Sequence, residues 1–392
     1  MSLLKLILLP FWYLSSWIPR NRNIWVFGSN TGNSYGDNTR YFFEYILENH
    51  TEIKAVWITR SEAIYQKLKS QGYPVTKMQS YRAKWICLRA GKGFTTHGKN
   101  DLCNEFTKGI VLYNLWHGMP IKTIGHIPPK NILKRWYYRL WYPQKWNHFF
   151  ITSEMFRPVM EQYHINSYKP VQELNIMGMP RYDRYNLNWE EKLIRDNKNK
   201  FGEELKFILY CPTYREQNEF EAYSEYGQID IFENYGFDPS EVQNLMEELN
   251  AIFLVKMHPM ATDNINLNGN FDRIKIVEGA ELDDMYTLIK DVDVLLSDYS
   301  SLLFDYLVLD RPIIHTVFDL ELYKKIRTFN FDYEEIVSGP KTTNWPSTLS
   351  AIKDCLEQDS FQARREMVNG LINTFPSDIS HNKALYDFCI RN

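Results

Sequence analysis

The stretch "DVDVLLSDYSSLLFDYLVLDRPI", residues 291–313, decides the fold class. Its first part, "DVDVLLSD", is short, apolar and bounded by acids, which predicts a buried strand. "SSLLFDYLVL" follows without a loop and has the apolar spacing of a helix, and "RPIIHTV" then predicts another strand. A strand that runs into a helix and then into a second strand is the repeating unit of a parallel sheet covered by helices.

Two series of such units extend along the chain. The first has the strand-like runs "NIWVFGS", "IKAVWIT", "KGFTTHG", "VLYNLWHG" and "HFFITS" and the helical "SEAIYQKLKSQG" and "DNTRYFFEYILENH", with Asp37 or Asn38 as N-cap. The second adds "KFILYCPT", "AIFLVKMHP", "IKIVEG" and the helical "ELDDMYTLIKD". The charged "NLNWEEKLIRDNKNKFGEEL" is predicted to be helical and to link the series. We therefore predict an α/β protein of two Rossmann-like domains facing a cleft. The predicted divisions are an N-terminal segment, 1–22, a first domain, 23–190, and a second domain, 191–392.

Composition narrows the classes of function. The chain has 392 residues, of which 44% are apolar, enough for two domains with cores of their own. Its net charge of −3 argues against bulk nucleic-acid binding. The cysteines number five, an odd count, and form no CxxC pair, which argues against a zinc site or a disulfide framework and favours a reducing cytoplasm.

The N-terminal segment "MSLLKLILLPFWYLSSWIPRNR" has an apolar run from Leu3 to Ile18. That run is shorter than the roughly 20 residues of a spanning helix, and Lys5 and Pro10 interrupt it. No small-residue cleavage site follows, as a secretory signal would require. We expect an anchor in the membrane interface, with aromatic side chains such as Trp17 at headgroup depth and basic ones such as Arg20 beside them. A helix packed on the first domain is the alternative.

Polar residues follow most of the predicted strands. The carboxyl ends of parallel strands meet at one edge of a sheet, where ligands bind. The residues at these ends are Thr96-His97-Gly98, Trp116-His117-Gly118, Thr213-Tyr214-Arg215, Lys256-Met257-His258, Glu278-Gly279 and Ser297-Asp298-Tyr299-Ser300-Ser301. Six such ends indicate a binding site rather than core packing.

The two serines of the opening stretch lie at the start of its predicted helix. The first turn of a helix has free N–H groups and the positive end of the helix dipole, and the hydroxyls of Ser300 and Ser301 add donors. This combination favours a phosphate group. Capping of the helix by Ser300 explains the same residue without a ligand. The cationic and histidine side chains at neighbouring strand ends, Arg215, Lys256 and His258, favour a phosphate, and a pyrophosphate in particular.

A histidine followed by glycine ends two strands of the first series. In "LWHGMPIK", Gly118 would let a substrate approach His117 closely. A neutral imidazole can take the proton of an attacking hydroxyl. His97 before Gly98 has the same local form, so either histidine could be the base. A hydrogen-bonded structural histidine is the alternative for each.

Four motifs together resemble one family. "SDYSSLLFDYLVLDRPI", "LWHGMPIK", "CPTYRE" and "GSNTGNSYGDNTRYFFEYI" look like the CDP-glycerol glycerophosphotransferases of teichoic acid and capsule synthesis, over about residues 24–320. The resemblance implies a GT-B fold, peripheral attachment to the cytoplasmic side of the cell membrane, and transfer of a polyol phosphate from CDP-glycerol or CDP-ribitol with release of CMP. Many relatives carry a further terminal region that this chain lacks, which leaves priming or single addition open beside polymerisation.

The resemblance also implies roles for individual residues. The family's base falls on His117, its second functional histidine on His258, and its phosphate-binding hydroxyls on Ser297, Ser300 and Ser301. Together with the strand ends, it predicts a donor site of Arg215, Thr213, Lys256, Glu278, Ser297, Asp298, Ser300 and Ser301. An acceptor hydroxyl would attack the β-phosphorus, with catalysis by positioning and charge stabilisation. Because no tight Asp cluster with a metal pattern stands out, we predict transfer without a metal or other cofactor.

A basic and aromatic span lies in the first domain. No Asp or Glu occurs between Phe106 and Thr152, and "NILKRWYYRLWYPQKW" interleaves cations with aromatic side chains. Such a span could stack single-stranded nucleic acid, or lie on an anionic bilayer, or be a helix buried against the domain. The apolar N-terminus and a lipid-linked acceptor favour the bilayer. The predicted membrane contacts are Lys134, Arg135, Trp136, Arg139 and Trp141.

Two other functions fit the same sequence. One is a GT-B glycosyltransferase that uses a nucleotide sugar, and release of UDP or GDP instead of CMP would identify it. The other is a non-catalytic, membrane-bound glycan-binding scaffold, for which loss of His117 would leave binding untouched. For the favoured function the expected partners are a CDP-polyol donor, a lipid-linked glycan or polyol-phosphate acceptor and an anionic membrane surface, with no nucleic acid.

Overall fold

The computed structural model describes residues 13–124, 146–166, 171–186, 190–213, 230–257, 271–278 and 284–392. These residues divide into two units. The first unit comprises the described parts of Met1–Met119, Ile124–Arg184 and Thr374–Asn392, and the second those of Pro120–Thr123 and Tyr185–Asn373. Each unit is built on one parallel β-sheet.

The described strands are β1 (Asn21–Phe27), β2 (Lys54–Thr59), β3 (Val75–Lys77), β4 (Ala90–Thr95), β5 (Val111–Asn114), β6 (Trp146–Ile151), β7 (Val171–Ile176), β8 (Lys206–Cys211), β9 (Ala251–Val255), β10 (Ile274–Ile276), β11 (Val294–Ser297), β12 (Ile313–Thr316) and β13 (Lys341–Thr342). In the first unit their order is β3-β2-β1-β4-β5-β6-β7, and in the second it is β10-β9-β8-β11-β12-β13. All pairings between these strands are parallel. The sequence prediction of two parallel α/β halves is confirmed.

The described α-helices are α1 (Asp37–Asn49), α2 (Glu62–Ser70), α3 (Tyr81–Arg89), α4 (Arg157–Asn166), α5 (Lys192–Phe201), α6 (Pro239–Glu248), α7 (Met285–Ile289), α8 (Leu302–Tyr306), α9 (Leu320–Ile326), α10 (Tyr333–Ile336), α11 (Trp345–Glu357), α12 (Gln362–Ile372) and α13 (His381–Arg391). Within the described ranges, no helix is both long enough and apolar enough to span a membrane.

Each sheet is the centre of its own hydrophobic core. In the first unit, Trp25 and Phe27 of β1 are buried against Phe42 of α1 and Phe94 of β4. In the second, the indole of Trp345 packs under the sheet and its Nε1 donates to the carbonyl oxygen of Ile231 at 2.9 Å. The inner strands are apolar on both faces because helices cover both sides of a parallel sheet.

One of three local predictions was wrong. Gly36, rather than Asp37 or Asn38, is the N-cap of α1, and Asp37 begins the helix with φ of 64°. The charged segment between the series is helical, as predicted, and contains α5. It belongs to the second unit, where the Thr287 hydroxyl donates to the buried carboxylate of Glu191. The helix predicted over "SSLLFDYLVL" is present: it is α-helical from Leu302 to Tyr306 and continues as a 3₁₀ turn, Leu307–Leu309.

The end of the chain returns to the first unit. The Thr374 N–H donates to the carbonyl oxygen of Thr152 at 3.1 Å. The amide hydrogens of His381 and Asn382, at the start of α13, donate to Asp183 at 2.8 and 3.0 Å. The sequence division put all of residues 191–392 in one domain and did not anticipate this return, because no local pattern marks which sheet a terminal helix covers.

Candidate active site

The carboxyl edge of the first sheet brings the two predicted histidines together. β4 and β5 are neighbours, with Thr95 paired to Asn114, so the residues that follow these strands lie side by side. The rings of His97 and His117 stack with their centroids 4.3 Å apart and an angle of 10° between their planes. Both side chains are partly exposed. The edge therefore offers a pair of imidazoles to solvent.

His117 is held by one ring nitrogen. Its Nδ1 lies 3.4 Å from the carbonyl oxygen of Thr96, which can only accept a hydrogen bond. Nδ1 therefore carries the proton in the neutral ring, and Nε2 carries a lone pair. Burial, and next the neighbouring His97, lower the pKa of His117 to about 3, so the ring is neutral at physiological pH.

The loop that carries His117 is fixed by buried side chains from distant parts of the first unit. Trp116 has a left-handed φ of 54°, a conformation that a bulky residue adopts only under constraint. The Asn38 side chain donates to the carbonyl oxygens of Leu115 and Trp116 at 3.2 and 2.9 Å. The Arg181 guanidinium, fully buried, donates from Nη1 to the carbonyl oxygen of His117 at 2.9 Å and to the Asp37 carboxylate at 2.8 Å.

His97 is anchored in a different way. Its Nδ1 lies 2.9 Å from the Thr96 hydroxyl. Its backbone is held by Asp101, a fully buried carboxylate that accepts the N–H groups of Thr96, His97 and Gly98 at 3.0, 2.9 and 3.3 Å. Burial lowers the pKa of His97 and raises that of Asp101.

In the second sheet, the edge formed by β9, β8 and β11 carries the predicted donor residues. Two of them are turned inward and fully buried. The Ser297 hydroxyl donates to the carbonyl oxygen of Cys211 at 2.8 Å, and the Asp298 carboxylate accepts the N–H groups of Thr213 and Tyr299 at 2.9 and 2.5 Å. These two side chains join the strand ends and shape the turn that follows.

Ser300 and Ser301 are the partly exposed members of the same turn. Ser300 Oγ accepts the N–H of Leu302 at 3.3 Å, but the N-cap residue of α8 is Ser301, which makes no side-chain capping bond. The cap is therefore one residue later than the sequence suggested. Lys256, also partly exposed, follows β9, and its ammonium group donates to the carbonyl oxygen of Met257 at 3.4 Å. Glu278 follows β10, three strands from β11, which corresponds to about 14 Å across the sheet.

Several predicted residues lie outside the described residues. They are the donor-site and catalytic candidates Arg215 and His258, the membrane candidates Lys134, Arg135, Trp136, Arg139 and Trp141, and most of the segment 1–22. In the part of the chain that the structure describes, no group of three or more His, Cys, Asp or Glu side chains is placed to hold a metal ion. Transfer without a metal stays a prediction.

The sequence did not identify the residues that orient the histidines. Thr96 adjoins His97 and could have been suspected from that position alone. Asn38 and Asp37 stand in the quoted "GDNTR" motif, but their predicted role was helix capping. Arg181 lies 64 residues from His117 along the chain and has no local signal.

Two parallel α/β units whose strands end in histidine, hydroxyl and lysine side chains define a transferase of the GT-B class. A family model described as CDP-Glycerol:Poly(glycerophosphate) glycerophosphotransferase matches residues 11–382. The chain therefore belongs to this family and is an enzyme of the CDP-glycerol glycerophosphotransferase type, as its motifs predicted.

Relatives and a solved structure agree with this assignment. The chain is 28% identical to a teichoic acid poly(glycerol phosphate) polymerase of Bacillus subtilis, over 88% of this chain and 46% of that protein. It is 24% identical to a teichoic acid glycerol-phosphate transferase of Staphylococcus aureus, over 85% of this chain and 84% of the relative. A structure of the wall teichoic acid polymerase TagF, from a variant soaked with CDPG, matches 99% of this chain and 93% of its own with a TM-score of 0.74 and 18% identity. The predicted GT-B fold is confirmed.

Proposed function

We propose that this enzyme transfers glycerol phosphate, or ribitol phosphate, from a CDP-activated donor to a hydroxyl of a membrane-linked teichoic acid or capsule precursor and releases CMP. The observation that carries the proposal is His117, a neutral imidazole at a strand end with Nδ1 bonded to a backbone carbonyl and Nε2 left as a base. Family membership supplies the donor class. The names of the two relatives support glycerol phosphate as the transferred group.

The reaction is a substitution at the β-phosphorus. The acceptor oxygen forms the new P–O bond, and the bond from the β-phosphorus to the bridging oxygen breaks, so CMP leaves with that oxygen. The proton of the acceptor hydroxyl goes to Nε2 of His117. A general base of this kind contributes about 10²- to 10⁴-fold to the rate.

The low pKa of His117 makes its strength as a base depend on whether the donor is bound. An imidazole with a pKa of about 3 is always neutral at physiological pH but is a weak base. Bound pyrophosphate brings negative charge, which favours the protonated ring and raises its pKa. His117 then becomes a stronger base when the donor is present, and the empty enzyme keeps it unprotonated.

The donor is expected on the second unit. Ser300 and Ser301, before α8, share one sheet edge with Thr213 after β8 and Lys256 after β9, and hydroxyl and ammonium donors at one edge support recognition of a pyrophosphate. Glu278 is exposed and far enough along the edge to meet ribose hydroxyls instead. Arg215 and His258 keep their predicted roles as phosphate ligand and second catalytic histidine.

Donor and product analysis tests this function. The protein is incubated with CDP-glycerol, CDP-ribitol or a UDP-sugar, with and without a lipid-linked acceptor, and the released nucleotide is identified. CMP from a CDP-polyol that depends on acceptor is the expected result. Release of UDP from the sugar donor would favour the glycosyltransferase, and no turnover of any donor would favour the binding scaffold. A parallel series with EDTA tests whether transfer proceeds without a metal ion.

We also propose peripheral attachment to an anionic membrane. An exposed aromatic group supports it: Trp17, Tyr81 and Trp85 are 82%, 89% and 58% exposed. Arg20 donates from Nη1 to the carbonyl oxygen of Cys87 at 2.6 Å and so ties the N-terminal segment to α3, the helix that carries Tyr81 and Trp85. Exposed aromatic side chains beside cations are typical of a surface at the bilayer interface.

Vesicle cosedimentation tests this attachment. Replacing Tyr81 and Trp85 with Ser should weaken binding to phosphatidylglycerol vesicles, and replacing Lys134, Arg135 and Arg139 with Glu should weaken it strongly, since each cation near the surface contributes about 1 kcal/mol. Met367→Ser, at another exposed apolar position, is the matched control. Equal pelleting of all variants at moderate salt would contradict membrane contact by these residues.

A further inference from the structure

The Nδ1 atoms of His97 and His117 contact two different oxygen atoms of Thr96. Both rings direct Nδ1 to Thr96, one to its hydroxyl and the other to its carbonyl oxygen. In each ring the other nitrogen, Nε2, does not bond to Thr96. Within the described residues neither Nε2 has a hydrogen-bond partner.

His97 Nδ1 ends a chain of three hydroxyls. The Ser34 hydroxyl donates to Ser29 Oγ at 3.2 Å, Ser29 Oγ lies 2.9 Å from Thr96 Oγ1, and Thr96 Oγ1 lies 2.9 Å from His97 Nδ1. Each hydroxyl has one proton to give. With Ser34 as first donor, one direction of the chain has Ser29 donating to Thr96 and Thr96 donating to His97 Nδ1. The same distances fit the other direction, in which Ser29 accepts from both neighbours and His97 Nδ1 donates to Thr96.

In the first of these directions, which the proposal below adopts, Nδ1 of His97 is an acceptor and the proton of the neutral ring is on Nε2. His117 has the reverse arrangement, because a carbonyl oxygen fixes its proton on Nδ1. The stack thus presents one N–H donor and one lone pair side by side. Two protonated rings at a centroid distance of 4.3 Å would repel each other, which disfavours protonation of both at once, and burial lowers the pKa of each ring.

We propose that His97 is a catalytic residue that donates a hydrogen bond from Nε2–H to a phosphoryl oxygen of the transferring group, while His117 alone is the base. This inference rests on the proposed function. In the substitution at the β-phosphorus, negative charge is spread over the non-bridging oxygens, and a fixed neutral donor stabilises it without reorganisation. Thr96, Ser29 and Asp101 act as positioning residues for this donor.

Nuclear magnetic resonance tests the tautomers without any turnover. Protein labelled with ¹⁵N-histidine is recorded by long-range ¹H–¹⁵N correlation, and the two rings are assigned by comparison with His97→Gln and His117→Gln. The expected result is the Nε2–H tautomer for His97 and the Nδ1–H tautomer for His117. The Nδ1–H tautomer at His97 would overturn the proposal.

Kinetics tests the donor role. His97→Ala should lower kcat about 10²-fold, the loss typical of one fixed donor to a developing charge, with KM for the CDP-polyol within about threefold. The amide nitrogen of glutamine can take the place of Nε2, so His97→Gln should recover at least about tenfold of that loss. The pH dependence of kcat should keep its wild-type shape in His97→Ala and change in His117→Ala. If His97→Ala turns over within about threefold of wild type, or if glutamine recovers nothing, His97 is not a donor.

Thr96 supplies a matched pair of variants. Thr96→Val removes the hydroxyl that fixes the His97 proton and keeps the carbonyl that holds His117, whereas Thr96→Ser keeps both. We expect Thr96→Val to lower kcat about tenfold more than Thr96→Ser, and equal effects would contradict the hydroxyl chain. Turnover of the CDP-polyol by the wild-type enzyme distinguishes the two proposals. If the wild-type enzyme does not turn over the donor, the proposed function is wrong. If it does, the variants test only the role of His97.

Discussion

His117, after β5, and His315, in β12, are both neutral histidines, and burial is the main reason that the pKa of each falls to about 3. They differ in how the ring nitrogens are used. His315 is fully buried; its Nε2 accepts the N–H of Ser338 at 3.0 Å, and its Nδ1 lies 3.0 Å from the Tyr333 hydroxyl. His117 is partly exposed, and only its Nδ1 has a partner within the described residues.

The difference shows that a shifted pKa by itself marks burial and does not mark catalysis. His315 is a structural residue: the Tyr333 hydroxyl bonded to it donates to the carbonyl oxygen of Asp298 at 2.7 Å, and this contact supports the turn that carries Ser300. In His117, Nε2 has no hydrogen-bond partner within the described residues and can accept a proton. A shifted histidine becomes a catalytic candidate when its ring is accessible and one nitrogen is unused.

Replacing His117 should produce the largest effect. His117→Ala should lower kcat by about 10²- to 10⁴-fold and leave donor affinity within a few fold, because a base acts mainly in the transition state. Its unfolding free energy should change by less than about 1 kcal/mol, since the ring is partly exposed. CMP release and urea unfolding measure both quantities. Turnover within tenfold of wild type would remove His117 as the base and turn attention to His258.

Replacing His315 should lower stability strongly and turnover only slightly. His315→Ala leaves a cavity and removes the partners of Ser338 and Tyr333, which should cost about 3 kcal/mol of stability. Turnover per folded molecule should fall far less than in His117→Ala. Thermal unfolding followed by circular dichroism, with activity measured well below the transition, checks this. A His315→Ala protein of wild-type stability with lost activity would reverse the assignment of the two histidines.

The pH dependence of the unfolding free energy should also distinguish His315 from His117. A histidine whose pKa falls from 6.5 to about 3 on folding binds a proton more weakly in the native state than in the unfolded state. The stability that this histidine contributes is fully present above pH 6.5 and is lost as the pH falls from 6.5 toward 3, at about 1.4 kcal/mol per pH unit.

His315→Gln should remove this loss. In urea unfolding, the stability of the variant relative to wild type should therefore rise as the pH falls from 6.5 to 4.5. His117→Gln should gain less, because solvent reaches its ring. Parallel pH profiles for wild type and His315→Gln would contradict the buried neutral histidine.

The smallest effect is expected within the donor edge, where the inward and outward serines can be compared. Ser300→Ala with Ser301→Ala should weaken binding of CDP-glycerol about tenfold, since each neutral hydrogen bond contributes about 0.5–1.5 kcal/mol. Ser297→Ala is the control, because its hydroxyl is bonded to the Cys211 carbonyl and should affect stability more than affinity. Isothermal titration measures the affinities. Unchanged affinity in the double variant would leave Ser300 with its bond to the Leu302 N–H alone.

The strands that the sequence predicted correctly are mostly inner strands. Those that it missed, β3, β7 and β13, all lie at sheet edges. Edge strands carry a weaker apolar signal because one side of the ladder faces solvent, and β3 and β13 are also only three and two residues long. Helix α13 was missed as part of the first unit for a different reason: its partners, such as Asp183, are nearly 200 residues away in the sequence.

The candidate site divides in the same way. Its location at strand ends follows from local pattern, since each apolar run stops at a polar residue. The side-chain directions do not. Ser297 and Ser300 are three residues apart in one motif, yet the first bonds inside the protein and the second is partly exposed.

The sequence by itself determined that the chain is a two-part α/β transferase of the glycerophosphotransferase family and that His97, His117 and the serine turn stand at strand ends. Periodicity and motif spacing are local properties, so they can be read directly from the sequence. Only the tertiary structure decided that the two histidines stack, that Thr96 fixes each through a different oxygen, and that Arg181 and Asn38 hold the loop of His117. These contacts depend on which strands are neighbours and on which buried polar groups need a protein partner in place of water. Both are determined only when the whole sheet has assembled.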